Sequence, residues 1–464
     1  NRRDTGWAHA GTAALNVGPV AIGWRLGPEA CMLRVFQAGR ALMRMSMAGL
    51  ALLLAAGAAA APPDPALIEQ VRGWRRDFHQ HPELGNRETR TAGIVAEHLR
   101  GLGIEVRSGV AHTGVVGYLR GAQERPLIAI RADMDALPVR EEVDLPFAST
   151  VEAEFRGERV GVMHACGHDA HTAMLMGVAS ALAARRDTLQ GSILFLFQPA
   201  EEGPPEGEEG GAPLMLKEGA FAPPRKPDLV LGLHVFSTMN VGTLGVRGGP
   251  FMAESDSFKI VVGGVQTHGS RPWGGVDPVL AAARIVDGLQ SIVARRVDIT
   301  RSPAVVSVGA IKGGIRYNII PDRVEMIGTV RSFETETRDA IYADIRRIAE
   351  HTAQAHGASA EVSFAQHTLV TRNDVALTER LRPALAASAG VDQVIEIPMS
   401  TVAEDFAYFA EEVPGFYYFV GATPKGQDAR KAASNHSPKF NLDEDALAIG
   451  VGSMLSVVDQ ALQR

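Results

Sequence analysis

The stretch Ile193-Leu194-Phe195-Leu196-Phe197-Gln198-Pro199-Ala200-Glu201-Glu202-Gly203 decides the fold of this chain. Its five apolar residues in a row are typical of a strand buried on both faces, as in α/β sheets covered by helices. Such sheets hold their ligand sites at the carboxyl ends of the strands. An isolated pair of acids is more often solvated in a loop, so Glu201 and Glu202 become candidate site residues only if other motifs support them.

Three further apolar runs, at residues 115–119, 127–130 and 229–233, resemble the first one. Helical spacing of apolar residues predicts helices at 66–80, 89–102 and 170–184. Between residues 257 and 365 the predicted order becomes strand, helix, strand, strand, helix, strand, which is that of a ferredoxin-like sandwich. The sequence therefore predicts a main α/β domain formed by residues 62–250 and 367–464. A mixed sheet flanked by helices forms its centre, and an α+β domain at 251–366 interrupts it.

Residues 1–61 are expected to lie outside these domains. Three arginines between residues 34 and 44 precede an apolar run at 45–56 and alanines at 58–61, a pattern typical of a cleaved export signal. The apolar run is too short to span a bilayer, so stable membrane insertion is not expected. Residues before Met32 are expected to precede the translated protein. The predicted location is the periplasm or the medium.

The composition narrows the classes of partner. With 464 residues, of which 46% are hydrophobic, the chain can form two domains with a core each. It has 53 acidic and 46 basic residues, and residues 1–61 hold six of the basic and two of the acidic ones. No basic run with interleaved aromatic residues is present, which argues against a nucleic-acid or anionic-membrane partner. A small molecule or a short peptide is the expected substrate.

The only cysteine beyond residue 61 lies in Met163-His164-Ala165-Cys166-Gly167-His168-Asp169-Ala170-His171. A thiolate and a neutral imidazole two residues apart can bind one divalent ion, and the intervening glycine allows a tight turn. A small buried cysteine beside satisfied histidines is the plainer alternative, and a redox-active thiol is another. A single cysteine in an exported protein cannot form an internal disulfide, which favours the metal.

Other polar residues follow predicted strands. His234 follows the run at 229–233, and His436 lies in a turn before the last predicted helix. Asp133 and Asp135 follow the run at 127–130, and acids in such positions commonly orient metal-bound histidines. These motifs would meet at the edge of the sheet where Glu201 and Glu202 are expected.

Together, these motifs resemble the M20 family of metallopeptidases, and within it the amidohydrolase branch of hippurate and auxin-conjugate hydrolases. The resemblance extends from about residue 66 to the C-terminus. It also includes segments 78–84, 269–272, 317–321, 403–406 and 436–438.

The resemblance implies a site for two divalent metal ions. Its ligands would be Cys166, His168, Glu202, His234 and His436. Glu201 would be the general acid and base, and Asp133, Asp135 and Asp169 would support the ligands. Asp133 stands where other branches have a metal-binding histidine, and Cys166 where they have a bridging carboxylate. Because thiolate favours zinc whereas manganese, cobalt and nickel are also used in the family, the metal stays open.

The resemblance also implies a homodimer in which the inserted domain acts as lid and dimer surface. His268 would reach the site of the partner subunit and help to stabilise the oxyanion. Asn318 would approach the substrate from the same lid, and Arg316 or Arg271 would bind the substrate carboxylate.

The predicted reaction is hydrolysis of the amide bond in N-acyl amino acids of the hippurate type, by water that the metals activate and from which Glu201 takes a proton. A broad-specificity metallo-carboxypeptidase or dipeptidase of the same family is one alternative. A non-catalytic metal-binding protein is another, although metal binding alone does not require Glu201 beside Glu202.

Overall fold

In the computed structural model, which describes residues 61–463, the chain forms an eight-stranded and a four-stranded β-sheet, each with helices packed against it, and three two-stranded sheets. The predicted export signal and start site lie outside the described residues. The helices are α1 (Pro65–Gln80), α2 (Thr89–Gly101), α3 (His168–Ala183), α4 (Gly211–Lys217), α5 (Pro278–Arg295), α6 (Thr335–Ala355), α7 (Val375–Ala386), α8 (Phe406–Glu412) and α9 (Asp445–Leu462). The strands are β1 (Glu105–Val110), β2 (Gly114–Leu119), β3 (Leu127–Asp133), β4 (Glu152–Phe155), β5 (Glu158–Gly161), β6 (Ser192–Gln198), β7 (Leu229–Asn240), β8 (Thr243–Val246), β9 (Gly249–Met252), β10 (Glu254–Gly263), β11 (Thr267–His268), β12 (Val305–Gly313), β13 (Ile319–Ile320), β14 (Arg323–Ser332), β15 (Ser359–Thr368), β16 (Thr371–Asn373), β17 (Gln393–Glu396) and β18 (Gly415–Thr423).

The larger sheet has eight strands in the order β1-β2-β6-β3-β7-β18-β8-β17. Its four central strands, β6, β3, β7 and β18, run parallel, whereas β1, β2 and β8 introduce antiparallel pairs. Every residue of β3, β6 and β18 is buried, as the continuous apolar runs predict. The prediction of a mixed sheet flanked by helices is therefore confirmed.

Two hydrophobic cores cover the two faces of this sheet. On β6, Ile193, Phe195 and Phe197 pack in the core that includes α1, α2, α3, α7 and α9, whereas Leu194 and Leu196 pack in the core that includes α4 and α8. This division follows from the alternation of side chains along a strand. Within residues 61–463 one helix, α9, is long and apolar enough to span a membrane by those criteria, and most of it is buried, as in a core helix of a globular domain.

The smaller sheet has the order β12-β14-β10-β15, and all its neighbouring strands are antiparallel. Helices α5 and α6 share one core with it, which contains Phe258, Ile285 and Ile345. Asp277 caps α5 by accepting from the backbone N–H groups of the first turn. The order β10-α5-β12-β14-α6-β15 confirms the ferredoxin-like topology. The residue borders of the domains stay predictions.

Three parallel strands lead to the predicted site. Asp133 is the last residue of β3, and Glu201 and Glu202 follow the end of β6 at Gln198. The expectation that His234 ends its strand is wrong, because β7 continues to Asn240 and His234 pairs with Phe419 of β18. Helix α3 begins at His168, two residues earlier than predicted.

Candidate active site

Cys166 lies in the turn before α3, and His168 is the first residue of that helix. Gly167 adopts a left-handed conformation with φ of 93°, which glycine tolerates and other residues rarely adopt. A Cβ atom at this position would lie 2.3 Å from Val235 Cγ2. Glycine thus allows the turn to approach β7 closely, and Cys166 Sγ lies 3.3 Å from His234 Nε2.

Hydrogen bonds fix which nitrogen is free in two of the three predicted ligand histidines. His168 Nδ1 lies 3.2 Å from Asp135 Oδ1, so it carries the proton and donates it to the carboxylate. His234 Nδ1 likewise donates to Val235 O at 2.7 Å. Both Nε2 atoms are left as acceptors. Asp135 also accepts from the backbone N–H of Glu202 at 3.0 Å and so links that loop to His168.

His171 has no free nitrogen for a metal ion. The backbone N–H of Val235 donates to His171 Nε2 at 2.9 Å, so His171 Nδ1 carries the proton and donates to Asp133 Oδ1 at 2.6 Å. Asp133 therefore orients His171 rather than a predicted ligand. Its other oxygen is 3.7 Å from His168 Nε2.

His436 and Glu202 form the outer part of the site, with His436 Nε2 2.9 Å from Glu202 Oε1. His436 has a φ of 71°, a conformation uncommon for residues other than glycine. Its neighbour Asn435 fastens the turn, because Asn435 Nδ2 donates to the carbonyl oxygens of Cys166 and Val235 at 3.1 Å each. A sterically uncommon backbone is therefore held in place beside the candidate ligands.

The donor atoms form two groups that share Cys166. One group is Cys166, His168 and His234, the other is Cys166, Glu202 and His436, and within each group all donor atoms lie within 4.8 Å of one another. His168 Nε2 is buried and has no hydrogen-bond partner among residues 61–463. A divalent cation would satisfy this nitrogen, and the combination of thiolate, imidazole and carboxylate suits zinc and other late transition ions. The residues fit a pair of cations with a shared thiolate.

In the protein alone, the electrostatics favour the protonated forms of Cys166 and His436, and also of His168, whose pKa burial lowers but the charge of Asp133 raises well above its usual range. Burial, together with the nearby Glu202, raises the pKa of the Cys166 thiol. Hydrogen bonds to Cys166 and Glu202 raise the pKa of His436 to about 10, whereas burial holds the pKa of His234 well below its usual range. Cations bind thiolate and neutral imidazole, so metal binding would displace the protons that Cys166 and His436 hold here.

Glu201 has the surroundings of a general acid and base. Burial, then the charges of Glu404, Glu202 and Asp405, raise its pKa well above the usual range. Its Oε2 lies 3.9 Å from His168 Nε2, and its Oε1 accepts from the Asp405 backbone N–H at 3.4 Å. A buried carboxyl group of this kind can take up and return a proton close to the candidate ligands.

A buried arginine balances the acids around Glu201. Arg131 donates to Asp133 at 2.7 Å, to Glu404 at 2.7 Å and to Asp405 at 3.0 Å. No role was predicted for Arg131 from the sequence. Its position in the sequence could have indicated this role, because a charged residue inside an otherwise apolar strand needs charged partners if the strand is buried.

Asp169 does not support a predicted ligand, and that expectation is corrected. Its Oδ2 accepts from Arg75 Nε at 2.9 Å and from His79 Nδ1 at 2.8 Å, both on α1. Burial would raise the pKa of Asp169, but the charges of Arg75 and His79 outweigh it and lower that pKa. Successive residues of a helix point about 100° apart, so Asp169 faces α1 while His168 faces the site. Asp169 joins two helices.

A cavity of about 1430 Å³ opens at the candidate ligands. On one side it is lined by residues of the larger sheet and of the loops around it: Cys166, Glu201, Glu202, His234 and His436. From the smaller sheet, Ser255, Arg331 and Thr368 line it, and ladder pairing places both Arg331 and Thr368 opposite Ser255. Arg331 Nη1 is buried and has no hydrogen-bond partner among the described residues. The sequence analysis missed Arg331 because its position depends on the register of β14.

His268, Asn318 and Arg316 are not among the residues that line this cavity. His268 is exposed on β11, where its Nδ1 accepts from Ser270 Oγ at 2.8 Å. Asn318 lies next to β13, which pairs with β11, and Arg316 is exposed nearby. The chain therefore does not bring these three predicted residues to its own donor groups. Arg331, rather than Arg316, lines the cavity.

Comparisons with known proteins agree with this arrangement. Residues 129–460 match the model of Peptidase family M20/M25/M40. The chain is 39% identical over 389 residues to thermostable carboxypeptidase 1 of Saccharolobus solfataricus, covering 82% of this chain and 94% of that protein. It is 38% identical over 387 residues to N-acetylcysteine deacetylase of Bacillus subtilis, covering 83% and 95%. The crystal structure of the Bacillus subtilis YXEP protein, a dinuclear metal-binding peptidase of the M20 family, superposes with a TM-score of 0.72 at 36% identity and covers 86% of this chain and 99% of that one.

Proposed function

Since the chain belongs to Peptidase family M20/M25/M40 and is a hydrolase of C–N bonds, we propose that it is a metal-dependent amidohydrolase of N-acyl amino acids, including hippurate-like ones. The observation that carries this proposal is the position of Glu201. It is a largely buried acid, with a side chain 9% exposed, beside two donor groups that share Cys166. A proton carrier next to a two-cation site is the arrangement that hydrolysis of an amide requires.

Two bound divalent cations would polarise the amide carbonyl and lower the pKa of the attacking water. Glu201 accepts the proton of this water and, being buried, holds it. It then gives the proton to the amide nitrogen as the C–N bond breaks. Asp135 accepts hydrogen bonds from both His168 and the backbone of Glu202. It therefore holds Glu201, the neighbour of Glu202, at a fixed distance from the candidate ligands. The metal is proposed to be zinc, manganese, cobalt or nickel.

Arg331 supports an amino acid as the leaving group. Its Nη1 lacks a hydrogen-bond partner among residues 61–463, and a substrate carboxylate would supply one. Burial lowers the pKa of Arg331, while Asp256 raises it. An N-acyl amino acid would thus place its carboxylate at Arg331 and its amide at Glu201. Arg331→Met should raise KM more than it lowers kcat.

A carboxypeptidase or dipeptidase is the second candidate, because thermostable carboxypeptidase 1 is among the relatives. Its substrates also carry a free carboxylate, so Arg331 serves both candidates. The two candidates differ in the acyl half of the substrate, which is a simple acyl group for the amidohydrolase and an amino acid or peptide for the carboxypeptidase or dipeptidase. A metal-binding protein without activity is disfavoured, since binding alone gives no use for the proton carrier Glu201.

The test is hydrolysis of N-acetyl amino acids, N-benzoyl amino acids and dipeptides by residues 62–464. Activity is measured before chelation, after it, and after addition of zinc, manganese, cobalt or nickel. We expect chelation to abolish cleavage, one metal to restore it, and acyl amino acids to be cleaved faster than dipeptides. Faster cleavage of dipeptides would favour the second candidate, and inactivity with every metal would overturn the proposal.

Two further parts of the proposal concern assembly and location. We propose a homodimer, because three large apolar side chains near β11 and β13 are exposed: Trp273 by 81%, Ile315 by 96% and Tyr317 by 93%. His268 would then act in the partner's cavity. Export to the periplasm or the medium is proposed from the signal-like pattern before residue 62.

A further inference from the structure

A short hairpin stands apart from both sheets. Its strands β4 and β5 pair only with each other. Arg156 and Gly157 form its two-residue turn with φ values of 53° and 79°, as a tight hairpin turn requires. At its base Glu152 accepts from Arg140 and Arg159 at 2.6 Å each. The tight turn and the ion pairs of Glu152 stabilise the hairpin as an ordered arm.

The tip of this arm lines the catalytic cavity. Glu154, Phe155 and Arg156 contribute to the same walls as Glu201 and Glu202. Phe155 is half-buried and belongs to none of the three hydrophobic cores. The guanidinium carbon of Arg156 lies 5.2 Å from the centroid of the Phe155 ring, so the guanidinium covers one face of that ring. An aromatic ring that serves no core and borders an active-site cavity is available for a ligand.

An apolar wall connects the site to the arm. Leu137 follows Asp135 closely and pairs by a bridge with Met163, while Leu84 pairs with Ala136. Both leucines line the cavity. The base of the hairpin lies against the same segment, because a Cβ on Gly161 would come within 2.7 Å of Arg140 Cα. The wall therefore runs from the surroundings of His168 towards the hairpin, within the part of the chain that carries the ligands.

This wall and the arm are suited to the acyl half of the substrate. Arg331, which would take the carboxylate, belongs to the smaller sheet, whereas Leu84, Leu137 and Phe155 belong to the segments around the larger one. A substrate whose amide lies at Glu201 has its acyl group on the other side of the scissile bond from that carboxylate. Phe236, Phe419 and Tyr408 also line the cavity but pack in a hydrophobic core, so Phe155, at the end of the wall, is the ring that remains for the acyl group.

We propose that Phe155, at the tip of the β4–β5 hairpin, is a specificity-determining residue that favours flat aromatic acyl groups by stacking against them. This inference rests on the proposed function and adds to it the element that selects the acyl group. Stacking requires the ring and not its hydrophobic volume alone. Phe155→Tyr should therefore keep the preference for aromatic acyl groups, whereas Phe155→Ala should lose it.

The experiment compares kcat/KM for N-benzoyl and N-acetyl derivatives of one amino acid. We expect Phe155→Ala to lower the value for the benzoyl substrate about tenfold, mainly through KM, and to change that for the acetyl substrate less than about twofold. Phe155→Tyr should keep the wild-type ratio. The matched control is Glu158→Ala, since Glu158 faces Phe155 across the hairpin ladder and does not line the cavity. It should keep the ratio as well.

An unchanged ratio in Phe155→Ala would overturn the inference while leaving the proposed function standing. Equal losses on both substrates would also overturn it, because they indicate a general effect on the site. If the wild-type protein cleaves neither substrate with any metal, the proposed function fails and the inference fails with it. A thermal unfolding midpoint equal to that of the wild type shows that the variant is folded.

Discussion

Glu201 and Glu202 are neighbours with identical side chains, yet their surroundings give them different tasks. Glu202 is 2.9 Å from His436 and shares a donor group with Cys166. Glu201 lies among other acids, and its burial favours the protonated form. The pair resembles the general arrangement in which one carboxylate binds a cation and the other transfers a proton. A substitution at Glu201 should therefore affect chemistry and leave metal binding intact.

We expect Glu201→Gln to lower kcat by about 10²- to 10⁴-fold, because the amide keeps the shape of the side chain but cannot accept a proton. Metal content, measured by elemental analysis after dialysis, should equal that of the wild type. Glu97→Gln is the control, since Glu97 is exposed on α2 and does not line the cavity. Loss of metal from Glu201→Gln would show that Glu201 is a ligand instead.

Glu88 is a buried acid behind the active site, and the sequence analysis missed it. Its Oε1 accepts from the backbone N–H of Ala200 at 2.9 Å and so holds the residue before Glu201. Burial, then the nearby charge of Asp135, raise the pKa of Glu88 to about 8. The folded state therefore holds the Glu88 proton at pH values where the unfolded chain has lost it. Stability linked to this proton is fully present below about pH 4.5 and is lost as the pH rises towards 8.

Glu88→Gln should remove this pH dependence, because glutamine resembles the protonated acid and still accepts from Ala200. The variant should match the wild type near pH 4.5 and exceed its free energy of unfolding by about 1–4 kcal/mol at pH 8. Urea unfolding of the chelated proteins across this pH range measures the difference. Glu97→Gln, exposed on α2, is the control. A gain of equal size at every pH would contradict the assignment.

At the scale of elements, the start of α3 determines the site. The turn before it carries Cys166, its first residue is His168, and Gly167 between them lies against Val235 of β7. A small shift of this helix would move Cys166 away from His234. The close approach of one turn to one strand thus brings residues 68 positions apart to 3.3 Å.

Gly167→Ala should disturb this contact, because its Cβ would meet Val235 at 2.3 Å and its φ of 93° is strained for alanine. We expect a loss of more than about 1 kcal/mol in unfolding free energy, together with weaker metal retention during dialysis. Gly73→Ala is the matched control. Gly73 lies in α1, where an added Cβ meets nothing within 4 Å, so this variant should be as stable as the wild type or more stable. Full metal retention in Gly167→Ala would argue against the role of the turn.

The elements differ in how well the sequence predicts them. Strands such as β3 and β6 were predicted because they are buried on both faces and need continuous apolar residues. The hairpin β4–β5 was missed, since Glu152, Glu154 and Glu158 on its strands are exposed and lack an apolar pattern. Glu202 could be found because it follows an apolar strand, and Cys166 and His168 because they lie on either side of a glycine, whereas His234 and His436 became ligands through the resemblance. Arg331 could not be found, because only the pairing of β14 with β10 shows which way it points.

At the scale of the whole molecule, the parts of the chain around the two sheets contribute different residues to one cavity. The larger sheet and the segments around it carry the candidate metal donors and Glu201, while the smaller sheet contributes Arg331 to the same cavity. His268 and Asn318 also belong to the smaller sheet's part of the chain, yet they lie outside this cavity. The exposed apolar residues close to them are a surface that a second copy of the chain would cover.

We therefore expect a dimer in solution, and Trp273→Glu combined with Tyr317→Glu should yield monomers by light scattering, since both side chains are more than 80% exposed in the single chain. Ile299→Glu, in the exposed loop after α5, is the control and should remain dimeric.

If His268 acts in the partner's cavity, Glu201→Gln and His268→Ala should each be inactive as homodimers. Mixed with subunit exchange, they should recover about a quarter of wild-type activity, because half of the dimers then contain one intact site. A dimer without recovery would place His268 outside the reaction, and a wild-type monomer would contradict the assembly itself.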